Sequence, residues 1–448
     1  MNNYDFLELL VSHSGLYLFI LLMTGSVYFI LLRRIIKTPI DPLFLVIVST
    51  IFGCADVIFM YATNAINIYY FSSFLLTQFA FILGFFSLHS FEHKRIVIAS
   101  AKRRYPSLEL TNINFLVLIG LYVIIQLFVY WKNGIPLFYE SRLDYYEGGS
   151  GFGIFSRILD VLSLFVCCML IEWKVMKKLN NVPFLLIWVG GGFFYFLTLI
   201  LSGSKGSIFT ILFIVFAYYY VSANIEQILC IWRKYRMLLI IGGLGIVLVI
   251  ISIQSIVNKQ QDSSSLILLG YRFIASGDIY WYTYPNSVLL TYPASVGGGM
   301  LTLFNDFLGL FRLIDWNSFP EYPGVYFYKY HHASDLTQGA NMRHNIFGLL
   351  YFGYIGSIFY SMLLGILGSF IRFFLPRIQG GGFYFKFICI YFFLKVGVID
   401  ADMTLFMTCV DNLALVLPMI FIFNAFINTF FLYSNFNVFK HNNTLLQR

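Results

Sequence analysis

Between Leu16 and Leu32 the chain runs without a single charged side chain, and runs of this kind recur from one end to the other. An α-helix needs about 20 consecutive apolar residues to cross the hydrocarbon core of a bilayer. Inside that core only helices or closed barrels satisfy their own backbone. Composition agrees with the pattern. Of 448 residues, 59% are hydrophobic, 20% aromatic and only 11% charged, against about 25% charged in a soluble domain. The fold class this predicts is an all-α polytopic membrane protein, one integral domain over 1–448. The first run lacks a basic stretch ahead of it and a small-residue cleavage site, so it reads as a retained span rather than a secretory signal.

Hydropathy predicts eleven helices, at 14–32, 42–62, 69–90, 111–131, 154–173, 183–201, 207–223, 237–256, 345–371, 383–399 and 403–433. The segments between them alternate in charge. One set, which includes Arg33, Arg34, Lys37, Lys102–Arg104, Lys177, Lys178, Arg233 and Arg236, holds 19 of the 29 Lys/Arg but only 5 of the 21 Asp/Glu. The positive-inside rule makes that side cytoplasmic, with the N-terminus outside and the C-terminus inside. The net charge of +8 is therefore chiefly an orientation signal facing anionic headgroups, and nucleic acid is not expected as a partner. Six cysteines lie in or beside apolar runs without metal-type spacing, so they read as packing residues rather than zinc ligands or a disulfide framework.

Two external segments exceed turn length: the glycine-rich 132–153, "KNGIPLFYESRLDYYEGGSGFG", and the long 257–344. Long segments in a compact protein are usually functional. The second is rich in Tyr, Trp, Phe and Pro and reads as folded, with "LLTYPASVGGGMLTLFNDFLGLFRLIDW" apolar enough to lie as amphipathic or re-entrant helix at the outer interface.

Charged residues near these segments are the candidates for chemistry. "SGSKGS" at 202–207 has the wrong glycine spacing for a nucleotide loop, whose G-x-x-x-x-G-K-[ST] pattern also needs a preceding strand. Lys205 there either snorkels to the interface or, beside free amides at a helix start, helps cradle an anion. Arg142 sits in a glycine-lined strip with Tyr139, Tyr145 and Tyr146, suited to an anionic or sugar ligand, or else pairs with Glu140 or Asp144. Arg157 and Asp160, three apart inside a span, face a polar cavity or each other. Arg272 with Asp278, and Arg312 with Asp315, read as ligand contacts or as loop ion pairs. The most informative stretch is "GANMRHNIFGLLYFGYIG", 339–356. There Arg343, His344 and Asn345 stand where the long segment enters a helix at the outer face. A neutral imidazole can take a proton from a hydroxyl, and an arginine fork matches a diphosphate. Otherwise the trio anchors the helix, and His331 and His332 are competing imidazoles. Asp400 and Asp402 form an Asp-x-Asp pair of the kind that holds divalent metal, but on this topology they lie outside, away from nucleotide sugars. No metal or cofactor is assigned.

At these residues the chain resembles the Wzy-type O-antigen polymerases, which join the oligosaccharide repeat units of bacterial surface polysaccharides. Three features carry the likeness: the external arginine–glycine strip, where Arg142 to Gly153 fits R-x10-G; the "GSKG" turn; and the Arg343–His344–Asn345 run. Arg343 to Gly348 and Arg272 to Gly277 give the looser R-x4-G form, and "HN" is similar to the element holding the proposed catalytic histidine of the related O-antigen ligases. The turn holds lysine where many relatives carry arginine, and twelve spans are often drawn for the family. The resemblance implies a metal-independent GT-C-type glycosyltransferase in a bacterial inner membrane, acting at its periplasmic face. The growing glycan would pass from undecaprenyl diphosphate to an incoming lipid-linked unit. It implies His344 as base, Arg142, Lys205, Arg272, Arg312 and Arg343 as diphosphate or glycan contacts, Tyr145 and Asn345 as substrate contacts, and a Wzz-type chain-length regulator as partner. An O-antigen ligase and a flippase or transporter of lipid-linked sugars are the alternatives.

Overall fold

The structure, a computed structural model, describes residues 1–93, 96–97, 112–138, 153–175, 182–204, 207–222, scattered positions between 226 and 245, and 265–315, 318–332, 339–379 and 382–445. Short polar residues set the helix starts at the edges of the apolar runs. Asn2 and Asp5 close a capping box over α1 (Asn3–Ser12), and α2 (Ser14–Leu32) follows after one residue. Asp41 accepts from the Leu43 amide at the start of α3 (Pro42–Ala62), and Asn67 accepts from Tyr70 to open α4 (Ile68–Phe86). Such caps satisfy amides that a helix leaves without partners. The chain continues through α5 (Asn112–Asn133), α6 (Gly153–Val175), α7 (Val182–Leu201) and α8 (Ser207–Val221). Five short helices follow: α9 (Ser265–Ile274), α10 (Asp278–Thr283), α11 (Val296–Leu303), α12 (Asn305–Leu310) and α13 (Pro323–His331). The last are α14 (His344–Ser369), α15 (Gly382–Lys395), α16 (Val398–Ala401) and α17 (Met403–Leu445). Two tiny strands, β1 (Ile96–Val97) and β2 (Ile378–Gln379), pair in parallel with Ile96 opposite Ile378.

Among the described residues, 8 helical segments are long and apolar enough to cross a membrane, so the chain is a multi-pass α-helical membrane protein. They coincide with eight of the eleven expected spans. Of the other three, α8 and α15 are apolar but only 15 and 14 residues long, and 237–256 lies largely outside the described residues.

The expected span at 345–371 differs in form. Gly353 has φ 69° and ψ −173°, a conformation essentially reserved for glycine, and the chain doubles back there. Phe347 stacks on Tyr360 at 5.5 Å, and His344 Nδ1 lies 2.9 Å from Ser361 Oγ. In a straight helix those pairs would be about 20 and 25 Å apart. α14 is therefore a helical hairpin, with arms 344–352 and 354–369. Its second arm lies against α4 along glycines: a Cβ on Gly84 would stand 2.3 Å from the Met362 carbonyl oxygen, and one on Gly365 2.2 Å from that of Phe81. Close backbone approach through small residues is how membrane helices gain contact without a hydrophobic driving force.

Apolar side chains gather into two clusters. One joins α1–α4, α10, α11, α13, α14, α16 and the start of α17; the other joins α5–α8, α15 and the rest of the inward face of α17. Bulky residues such as Phe19, Phe29, Leu186, Phe193, Ile355 and Phe426 point outward, as lipid-facing surfaces do. Along α11, Val296, Met300 and Phe304 are also exposed, an apolar face of the sort expected at a bilayer interface; on α12, Phe307 and Phe311 are exposed as well.

Candidate functional site

Arg343 ends the long connecting segment and stands at the N-cap of α14 with a non-helical backbone, φ −56° and ψ 151°. Its guanidinium spends all its reach inside the protein. Nη1 donates to Asp400 Oδ2 at 3.1 Å, Nη2 to Ser49 Oγ at 2.8 Å and Nε to the Ser276 carbonyl at 3.2 Å. Gly53 faces it, and a Cβ there would lie in ordinary contact, 3.6 Å from the guanidinium carbon. Asp400 comes from the four-residue α16 and also accepts from Thr50 Oγ1 at 2.6 Å. Ser49 and Thr50 lie near the middle of α3, so the cluster sits level with mid-span. Sequence placed Arg343 and His344 at the outer face; the hairpin carries them deeper, because its first arm starts beside the middle of the second, with His344 against Ser361, and runs back toward the turn.

His344 is fully buried. One ring nitrogen meets Ser361; Nε2 is 3.2 Å from Asp400 Oδ1 but not aligned for a hydrogen bond, and both atoms lack one. The ring lies flat against Phe81, centroids 4.6 Å apart. Asn345 donates to Thr77 Oγ1 at 2.8 Å and accepts from Tyr280 OH at 2.7 Å. A second carboxylate, Asp56 of α3, accepts from Tyr17 OH at 2.8 Å while its Oδ2 is buried without a partner. A Cβ on Gly277 would fall 2.2 Å from that oxygen, so only glycine lets the α9–α10 connection reach this depth.

Charge within the cluster is strongly conditioned. Burial resists ionisation of Asp400, but the His344 contact, the Arg343 charge and the Thr50 hydroxyl outweigh it and draw the carboxyl down to about 2. Asp278 opens α10 nearby; burial pushes it up to about 7, against the pull of the Ile279 amide and of Arg343. Arg343 keeps its proton more firmly than usual: burial works against the charge, but Asp400 more than compensates. The arrangement is thus a fixed ion pair with an imidazole laid against its carboxylate. A histidine between a carboxylate and a hydroxyl has the disposition of a general base and its orienter.

Of the other residues singled out from sequence, Arg272 lies on the exposed face of α9, and Arg312 is exposed with a left-handed backbone, φ 52°. Arg142, Tyr145 and Lys205 lie outside the described residues, as do most of 132–153 and the heart of the "GSKG" turn. Asp400 and Asp402 turn to different partners: Asp402 caps α17 through the amides of Thr404 and Leu405 and accepts from Tyr322 OH at 2.5 Å. Among the described residues no three His, Cys, Asp or Glu side chains are grouped to share a metal ion. Sequence reasoning passed over Asp56, although an aspartate in the middle of an apolar run, "GCADVIF", is the standard mark of an intramembrane polar site. Compared with protein-family models, with curated proteins and with solved structures, the chain matches none.

Proposed function

We propose that this protein is a membrane-embedded glycosyltransferase that joins lipid-linked oligosaccharide units, the activity of the Wzy-type polymerases its motifs resemble. The observation that carries the reading is the Arg343–His344–Asp400 cluster, held where a long connecting segment returns to the bundle. A sugar hydroxyl of the incoming unit attacks the anomeric carbon of the donor glycan. The bond from that carbon to the phosphate oxygen breaks, and undecaprenyl diphosphate leaves with the bonding pair. His344 takes the hydroxyl proton, and Asp400 steadies the imidazolium as it forms. Arg343 holds Asp400 ionised and in place, since its fork is already occupied. The diphosphate then falls to Arg142, Lys205, Arg272 and Arg312. Because His344 is fully buried, turnover requires the hairpin arm bearing Ser361, or the Phe81 ring, to move aside and admit the hydroxyl. No metal or cofactor takes part.

The test is polymer synthesis by the purified protein in nanodiscs, given lipid-linked repeat units and no ion gradient. Wild type is expected to build a ladder of chain lengths. Removing a general base costs about 10²–10⁴-fold, so His344→Gln should reduce the rate by at least 100-fold. A wild-type protein that forms no glycosidic bond, or a His344→Gln ladder at normal rate, would rule the assignment out. Polymerase and ligase part in the cell: loss of a polymerase leaves single-unit lipopolysaccharide, loss of a ligase leaves none. A transporter is the second reading, favoured by an ion pair at mid-span beside a helix broken at Gly353. Movement of lipid-linked units across proteoliposomes without bond formation would select it.

A further inference from the structure

Arg157 and Asp160 do not pair with each other. Both belong to a second polar cluster, sharing no residue with the first, between α6, α12, α15 and α17. Arg157 Nη1 donates to Asn412 Oδ1 and Nη2 to Asp306 Oδ1, each at 2.9 Å. Asp160 accepts from Tyr391 OH at 2.9 Å, and from Lys395 Nζ and Asn412 Nδ2 at 3.3 Å. Asp411 lies beside the Phe307 amide, and its Oδ2 is buried with no partner. Unlike the Arg343 cluster, this one is open. Side-chain exposure is 17% for Arg157, 18% for Asp306, 26% for Lys395 and 31% for Asp160, against 4% for Arg343 and 7% for Asp400.

The charges say what kind of molecule fits. Each cation is already taken, Arg157 by Asp306 and Asn412 and Lys395 by Asp160. Carboxylates outnumber cations, and Asp411, only 8% exposed, keeps one oxygen without a donor. A buried acceptor without a donor is costly, and a ligand bringing hydrogen-bond donors recovers that cost. An anion would meet a surplus of negative charge; a neutral polyol would not. Beside the carboxylates, Phe307 and Phe311 present exposed rings 4.9 Å apart, apolar faces of the kind that pack against the C–H side of a sugar. Polar acceptors next to aromatic faces are the usual lining of a small-molecule site.

We infer that this polar cluster, with the two rings beside it, is a carbohydrate subsite. Asp411 and Asp306 accept from sugar hydroxyls, and Phe307 and Phe311 cover the ring. That the sugar belongs to a lipid-linked unit rests on the function proposed above; that the ligand is a neutral sugar does not.

Saturation-transfer difference NMR on the full chain in nanodiscs tests it. The probes are methyl glycosides of glucose, galactose, mannose, rhamnose and N-acetylglucosamine, with inorganic pyrophosphate and ethanolamine as charged controls. At least one glycoside should take up saturation from the wild-type protein, and Asp411→Ala should weaken its apparent affinity at least tenfold. Phe307→Ala changes an exposed ring, leaves the bundle intact and should do the same. Neither pyrophosphate nor ethanolamine should displace the sugar. The inference is overturned if no glycoside receives saturation, if both variants bind as wild type does, or if the variants lose pyrophosphate or ethanolamine binding instead. No turnover is read, so a protein that binds sugar but makes no polymer would sink the proposed reaction and leave the subsite standing.

Discussion

Asp400 is the residue on which the buried cluster turns, because it is the ion-pair partner of Arg343 while also facing His344 and accepting from Thr50. Replacing it with asparagine leaves a guanidinium 4% exposed and without the carboxylate of its ion pair, since an amide oxygen can accept from it but carries no charge. Breaking a buried pair on one side costs about 3–5 kcal/mol. Asp400→Asn should therefore lower the thermal midpoint in detergent by about 5–10 °C, while Glu8→Gln, a change on the exposed face of α1, should leave it within a degree or so of wild type. Equal midpoints for the two variants would remove Asp400 from this role. The two shifted carboxyls also give stability opposite slopes with pH. Asp400, held near 2, contributes stability that is full above about pH 4 and is lost as pH falls toward 2. Asp278, raised to about 7, keeps its proton in the fold while the unfolded chain has given it up, so stability falls as pH rises from about 4 to about 7. Asp278→Asn should flatten that second slope and raise the midpoint at pH 7.5; an unchanged slope would mean another group causes it.

Elements show where sequence reasoning stops. Spans were legible because lipid demands a length and a composition: seven expected runs became uninterrupted helices long enough to cross, and the eighth is the segment folded at Gly353. The hairpin was not, since both arms are apolar and hydropathy adds them into one continuous run. Its sign was a single residue: Gly353, between Phe352 and Tyr354, carries a backbone that a Cβ forbids. Nor could periodicity show that the segment ending at Arg343 dips to the level of Ser49, since that depends on Gly53 and Gly277 lying against each other from distant parts of the chain. Arg343, His344 and Asn345 were legible as a group; their carboxylate partner was visible only as half of an Asp-x-Asp pair. Three glycines separate the effects experimentally. Gly353→Ala should cost about 1–3 kcal/mol from backbone strain. Gly84→Ala, which forces its Cβ into the Met362 carbonyl, should cost at least as much by parting α4 from the hairpin. Gly120→Ala, where a Cβ meets nothing within 4 Å, should be neutral or mildly stabilising, as alanine is the better helix former. Melting curves of the three in one detergent settle the order, and a damaging Gly120 change would show that helix glycines matter here for some other reason.

At the scale of the whole molecule, the two apolar clusters are tied by a buried charge pair at the far end of the α14 arm from Gly353. Arg372 donates through both terminal nitrogens to Asp41, one bond at 3.0 Å, and its guanidinium lies 4.3 Å from the Phe393 ring centre and 4.9 Å from that of Tyr220. One side chain thus reaches the start of α3 in one cluster and α8 and α15 in the other, with Asp41 and Arg372 only 0% and 1% exposed. The pair is costly to bury, and its worth lies in joining the halves below the polar clusters, which lie nearer the long connecting segment. Arg372→Met should destabilise by about 3–5 kcal/mol, because Asp41 keeps a buried charge. Asp41→Asn preserves the cap on Leu43 but strands the guanidinium, at a similar cost. The double variant removes both charges and keeps both volumes, and replacing a buried pair by neutral groups of similar size is often nearly free. It should therefore be at least about 2 kcal/mol more stable than the sum of the single changes predicts. A double variant whose loss equals that sum would mean that the two side chains act separately, and that the halves are held together by apolar packing alone.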